Sequence, residues 1–179
     1  MTEPLTPPRH IVLVGFMGTG KSTVARILAQ RGGFEAVDVD AEIVEREGRA
    51  IPELFAQFGE DYFRAAETDA LRSVMGRAVH QVVATGGGAV LRPENRALMA
   101  NGGLVVALIA TAEQIIARVS QDKGRPLLQG NLEERVHKLL SERRTAYDFA
   151  PVRIDTTGLN AEEVAEAIWD AWLTSQNGG

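Results

Sequence analysis

Residues 15–22 read Gly15-Phe16-Met17-Gly18-Thr19-Gly20-Lys21-Ser22, the phosphate-loop pattern G-x-x-x-x-G-K-[ST]. Each fixed position has a mechanical task. The glycines let successive backbone N–H groups turn toward a polyphosphate, Lys21 reaches its terminal phosphates, and the Ser22 hydroxyl can serve Mg²⁺. Gly18, Thr19, Gly20, Lys21, Ser22 and Thr23 are the expected nucleotide contacts. An apolar run, His10–Val14, enters the loop, and a stretch with helical spacing leaves it, so the phosphates meet a helix N-terminus.

Three further clusters bear on the phosphate acceptor. Asp38-Val39-Asp40 follows the second apolar run. Spaced two apart on extended backbone, both carboxylates share a face. One can serve Mg²⁺ through water while the other orients or deprotonates a hydroxyl. Asp40 could equally be a helix N-cap. Gly86-Gly87-Gly88 follows another apolar run, and either lets a small polar ligand approach bare backbone or simply makes a tight turn. Arg64 and Arg143 are the third cluster. Each could be a solvated helix residue, and Arg64 has Glu60 and Glu67 at helical spacing for ordinary surface pairing.

The elements that must position these groups follow from periodicity. Strands are expected over 10–14, 34–38, 80–85, 103–109 and 151–155. Helices are expected over 21–31, 40–47, 51–57, 59–77, 93–101, 111–119, 131–147 and 160–174. Strands alternating with amphipathic helices predict an α/β fold, with helices on both faces of a parallel sheet reached by right-handed crossovers. Ligands then gather beyond the carboxyl ends of the strands, where all the clusters above fall. The aperiodic polar stretch 120–130, carrying Arg125, reads as a surface connection or as a mobile lid. Residues 1–9 read as a disordered leader, and residues 10–179 as a single domain.

Composition narrows the class. The net charge of −5 argues against nucleic-acid binding, and 16 Arg against 3 Lys assigns cationic recognition mostly to arginine. Without cysteine, thiol catalysis and zinc–thiolate sites are excluded. The histidines at 10, 80 and 137 are isolated and expected at the surface or at strand edges. No apolar run approaches the ~20 residues of a membrane span, so a cytoplasmic location is expected, without a membrane partner.

Taken in order, these elements resemble the shikimate kinase family. The resemblance runs from His10 to about Asn160. It rests on Gly15–Ser22, Asp38-Val39-Asp40, Gly59-Glu60 with Phe63-Arg64-Ala65-Ala66-Glu67, Thr85-Gly86-Gly87-Gly88, Gly124-Arg125-Pro126-Leu127-Leu128, and Arg143 four residues before Tyr147. It implies a three-layer α/β/α P-loop kinase fold with five parallel strands in order 2-3-1-4-5 and a mobile lid near 120–130. It implies transfer of the γ-phosphoryl of ATP to the 3-hydroxyl of shikimate, with Mg²⁺ as cofactor, by a monomer. By the same resemblance Asp40 binds the reacting hydroxyl, Gly86, Gly87 and Gly88 line the acceptor, and Arg64 and Arg143 clamp its carboxylate. Arg125 closes on the phosphates, Arg118 stacks on adenine, and Ser22 and Asp38 serve the metal. The catalytic residues so implied are Lys21, Asp40 and Arg125. The rivals are another small P-loop kinase, for gluconate or a nucleotide, and a nucleotide-dependent switch that has lost its acceptor residues.

Overall fold

A computed structural model of the chain describes residues 8–121 and 131–178. Five parallel strands form one sheet: β1 (His10–Gly15), β2 (Glu35–Asp38), β3 (Gln81–Ala84), β4 (Gly103–Ile109) and β5 (Val152–Asp155). Their order is β2-β3-β1-β4-β5. The central strand β1 pairs with β3 through Ile11–Val82 to Leu13–Ala84 and with β4 through His10–Gly103 to Gly15–Leu108.

Alternation along the strands divides the core in two. Val12, Val14, Val83 and Val105 face one side, and Ile11, Leu13, Val82 and Val106 face the other. The first face is covered by α2 (Val39–Glu47), α3 (Ile51–Met75) and α4 (Pro93–Gly102), which contribute Ile43, Leu54, Leu71 and Met99. The second is covered by α1 (Lys21–Gly32) and α7 (Ala161–Asn177), through Leu28, Ile168 and Trp172. Covering both faces leaves every residue of β1 buried, which is why that strand reads as an unbroken apolar run. A smaller cluster packs Ile115 and Val119 of α5 (Ala112–Val119) and Val136 of α6 (Leu132–Glu142) against Phe16 and Met17. The phosphate loop thus rests on its own apolar support.

Three expectations need correction. His10 is not at an edge: it lies in the central strand, fully buried, with Nε2 3.3 Å from the Met75 carbonyl. Burial pushes its pKa down, so its neutral form is favoured. His80 and His137 are exposed, as expected. The helix expected over 131–147 ends at Glu142, and residues 143–149 form successive turns. Arg143, Ala146, Tyr147 and Phe149 turn inward there, and tertiary packing overrides a locally helical composition. The carboxylates of Asp38 and Asp40 do not share an extended backbone, because α2 begins between them at Val39.

The split expected between 57 and 59 is present as a break inside α3, at Gly59 with φ 84° and ψ 176°. The proposed leader, apart from residues 8 and 9, and the segment 122–130 with Arg125 lie outside the described residues. Among the described residues, no helix is long and apolar enough to cross a membrane.

Candidate active site

Beyond the carboxyl ends of β1, β2 and β3 lies a cavity of about 480 Å³. Its walls include Gly18, Gly20, Lys21, Ser22 and Thr23, then Asp38 and Asp40, then Arg64 and Glu67, then Thr85, Gly86, Gly87 and Gly88, and Arg118. One opening therefore unites the phosphate loop with nearly all the acceptor residues expected from the sequence.

Gly20 caps α1 in the left-handed region, with φ 90°, and no side chain occupies that cap. The free N-terminus of α1 is then available to an anion. Lys21 folds back over the loop, its Nζ donating to the carbonyls of Gly15 at 2.7 Å and Phe16 at 2.9 Å. The Thr19 side chain is buried off the cavity wall, and its hydroxyl donates to the Phe16 carbonyl at 2.8 Å. It shapes the loop from inside. Arg118 reaches the loop from α5 and donates to the Gly18 carbonyl at 2.9 Å.

Ser22 Oγ donates to Asp38 Oδ2 at 2.9 Å. The other oxygen of Asp38 accepts from the backbone N–H of Asp40 at 2.9 Å and of Ala41 at 3.3 Å. Asp38, not Asp40, is therefore the N-cap of α2, which leaves the Asp40 carboxylate facing the cavity. A hydroxyl beside one carboxylate is a hard-oxygen pair that suits Mg²⁺ held mainly by waters and phosphates. Among the described residues no group of three or more His, Asp or Glu forms an all-protein metal cage, and Mg²⁺ at a nucleotide needs none.

Gly86, Gly87 and Gly88 are the meeting point of the charged groups. A Cβ built on Gly86 would lie 3.2 Å from both Asp40 Oδ1 and Glu67 Oε2. One on Gly87 would lie 3.3 Å from Arg143 Nη1, and one on Gly88 only 2.3 Å from Arg64 Nη2. Two guanidiniums thus abut consecutive residues whose Cα atoms are about 3.8 Å apart. Neither is a solvated helix residue: Arg64 is 7% exposed and Arg143 6%. Arg143 does not itself line the cavity but reaches this corner from behind Gly87. Its buried Nη1 has no hydrogen-bond partner among the described residues.

Glu67 was not expected to be a site residue. It is fully buried, and Oε1 accepts from Arg64 Nη1 at 2.8 Å while Oε2 has no partner among the described residues. Burial pushes its pKa up and the Asp40 carboxylate adds to that, against the pull of Arg64 and Arg92. The sequence signal was its place three residues after Arg64, which also fits exposed pairing. Only the packing of α3 against the sheet separates the two.

Known proteins resemble this chain along most of its length. The shikimate kinase family profile matches residues 17–172. The chain is similar to a shikimate kinase from Geobacter metallireducens, at 50% identity over 161 residues, covering 89% of each chain. A shikimate kinase from Acinetobacter baumannii, solved in complex with shikimate, superimposes with a TM-score of 0.90 at 39% identity over 97% of both chains. A gluconokinase from Sinorhizobium meliloti, at 17% identity and a TM-score of 0.61 over 93% of both chains, shares the fold alone. The chain belongs to the shikimate kinase family.

Proposed function

We propose that this chain transfers the γ-phosphoryl group of ATP to the 3-hydroxyl of shikimate, a step toward chorismate and the aromatic amino acids. The observation that carries this reading is the pair of buried arginines at the glycine corner, with Arg143 Nη1 lacking an acceptor. A buried guanidinium nitrogen without an acceptor is costly, and a ligand carboxylate would satisfy it in the bidentate geometry that arginine favours. A neutral sugar offers no such anion. The same cavity continues to Lys21 and the N-terminus of α1, where the phosphates of ATP would sit.

In this reading the 3-hydroxyl oxygen attacks the γ-phosphorus, the bond to the β-phosphate oxygen breaks, and ADP leaves. The hydroxyl proton passes to Asp40 or to water. Most of the catalysis is positioning and charge stabilisation, as expected for a loose phosphoryl-transfer transition state. Lys21 draws charge from the phosphates and Asp40 orients the hydroxyl. Ser22 and Asp38 would hold Mg²⁺, which supplies neutralisation of the phosphate charge. Arg118 would face the base of the nucleotide, and Arg125 is assigned to the phosphates by resemblance. Residues 10–179 work as one domain, as a cytoplasmic monomer, without nucleic acid or membrane.

Release of ADP measured with shikimate, gluconate and nucleoside monophosphates in turn tests the reading. Turnover with shikimate alone is the expected result. Turnover with gluconate or a nucleotide instead would assign the chain a different acceptor, and none with any of them would favour a switch.

Gly88→Ala tests the corner itself. Gly88 sits at φ −92°, which alanine adopts freely, so the closest conflict is with the Arg64 guanidinium. Moving that flexible group away should raise the KM for shikimate by about 10- to 100-fold, the worth of a displaced charge-assisted hydrogen bond. The KM for ATP should hold, and a normal KM for shikimate would remove Arg64 from the acceptor site.

A further inference from the structure

The three glycine carbonyls at this corner are held in different ways. The Gly86 carbonyl accepts from Ala89 N–H and the Gly88 carbonyl from Leu91 N–H, both at 3.1 Å and both within the local turn. The Gly87 carbonyl instead accepts from the Tyr147 hydroxyl at 2.9 Å, across 60 residues of sequence. Tyr147 belongs to the turns 143–149 that also carry Arg143. The peptide bonds of the described residues are all trans, so the Gly88 N–H points opposite to the Gly87 carbonyl. A donor that fixes that carbonyl therefore fixes the direction of the Gly88 N–H as well.

We infer that Tyr147 is a positioning residue for the acceptor: its phenol ties the Arg143 turns to the glycine loop and sets both the Gly88 N–H and the Arg143 guanidinium. This inference rests on the proposed shikimate reading. Its packing supports the assignment. The Tyr147 ring lies against the core cluster beneath α3 and α4, together with Ala146 and Phe149, so the ring is anchored independently of the hydroxyl. The Arg143 backbone N–H donates to the Leu139 carbonyl at 2.9 Å, and the guanidinium lies 5.7 Å over the Phe16 ring. Those contacts hold Arg143 to α6 and to the phosphate loop. The tyrosine hydroxyl bonds its turns directly to the loop that faces the acceptor, and it also interacts with the Arg143 side chain.

Removing the hydroxyl alone is the test, because Tyr147→Phe keeps the anchored ring. In the full chain, Tyr147→Phe should raise the KM for shikimate about tenfold, the effect of losing one buried hydrogen bond and loosening its carbonyl. kcat should fall by no more than about threefold, and the KM for ATP should stay within about twofold, since the phosphate loop is untouched. The second readout needs no substrate. The Gly88 amide signal in the ligand-free ¹⁵N spectrum should shift and exchange faster, while the signals of Gly20–Thr23 hold.

A KM for shikimate within about twofold of wild type overturns the inference. So does an unmoved Gly88 amide, or a parallel rise in both KM values with a loss of thermal stability, which would mark a structural role. If the wild-type protein fails to phosphorylate shikimate, the reading of the reaction falls, and the Gly88 amide still decides whether the phenol orients the loop.

Discussion

Lys21→Ala should yield a folded protein whose phosphoryl transfer is slower by about 10²–10³, the usual loss when one preorganised charge contact to a transition state is removed. The side chain is already placed for that task. Nζ is held over the loop by the Gly15 and Phe16 carbonyls, only 9% of the residue is exposed, and it lines the cavity. Carbonyls are weak partners for an ammonium compared with a polyphosphate, so the group can turn to incoming phosphates without unfolding anything. Stability should fall by about 1–3 kcal/mol, because the buried Gly15 and Phe16 carbonyls lose Lys21 as a donor, although Phe16 keeps the Thr19 hydroxyl. Turnover at saturating ATP and Mg²⁺, measured beside a thermal melt, checks both halves. Near-normal turnover in a folded Lys21→Ala protein would sink the kinase reading.

The sheet was legible because strands buried on both faces must be apolar throughout. His10–Val14 and Gly103–Ile109 could hardly be anything else. Gly59 was legible as a break between two helical patterns, and it is one, although the helix hydrogen bonding runs on around it. What sequence spacing could not supply was burial. Arg64 between Glu60 and Glu67 has the pattern of a solvated helix face. Glu60 fits it, being largely exposed at 3.7 Å from Arg64 Nε. Glu67 does not, since α3 turns it beneath the glycine loop.

The Asp38/Asp40 pair shows the same limit at shorter range. Both carboxylates were visible as site groups, but which one caps α2 depends on where the backbone leaves the strand. The strand ends at Asp38 as expected, but the helix begins at Val39, one residue sooner than the 40–47 expected, so the capping role fell to Asp38. The inward turn at Arg143 was hidden for a related reason: residues 143–147 have helical composition, and only contacts with Phe16, Gly87 and the core pull them off the α6 axis.

The acceptor clamp gives the sharpest expectation. Arg64→Ala and Arg143→Ala should each weaken shikimate binding by about 2–4 kcal/mol, roughly 30- to 1,000-fold, with little effect on ATP. Arg→Lys should recover only part, because an ammonium cannot form two parallel bonds to a carboxylate. The two sites should differ in stability. Arg64 pairs with the fully buried Glu67, and removing one partner of such a pair costs about 3–5 kcal/mol when the other stays charged. Burial already pushes the Glu67 pKa up, so without Arg64 the carboxyl should take up a proton and soften that loss near and below neutral pH. The double variant Arg64→Ala with Glu67→Gln removes the stranded charge altogether. It should regain thermal stability relative to Arg64→Ala while still failing to bind shikimate. Binding that returned with stability would mean Arg64 serves the fold and not the ligand. Normal shikimate binding in both single alanine variants would discard the clamp, and the acceptor would then have to be sought among molecules without a carboxylate.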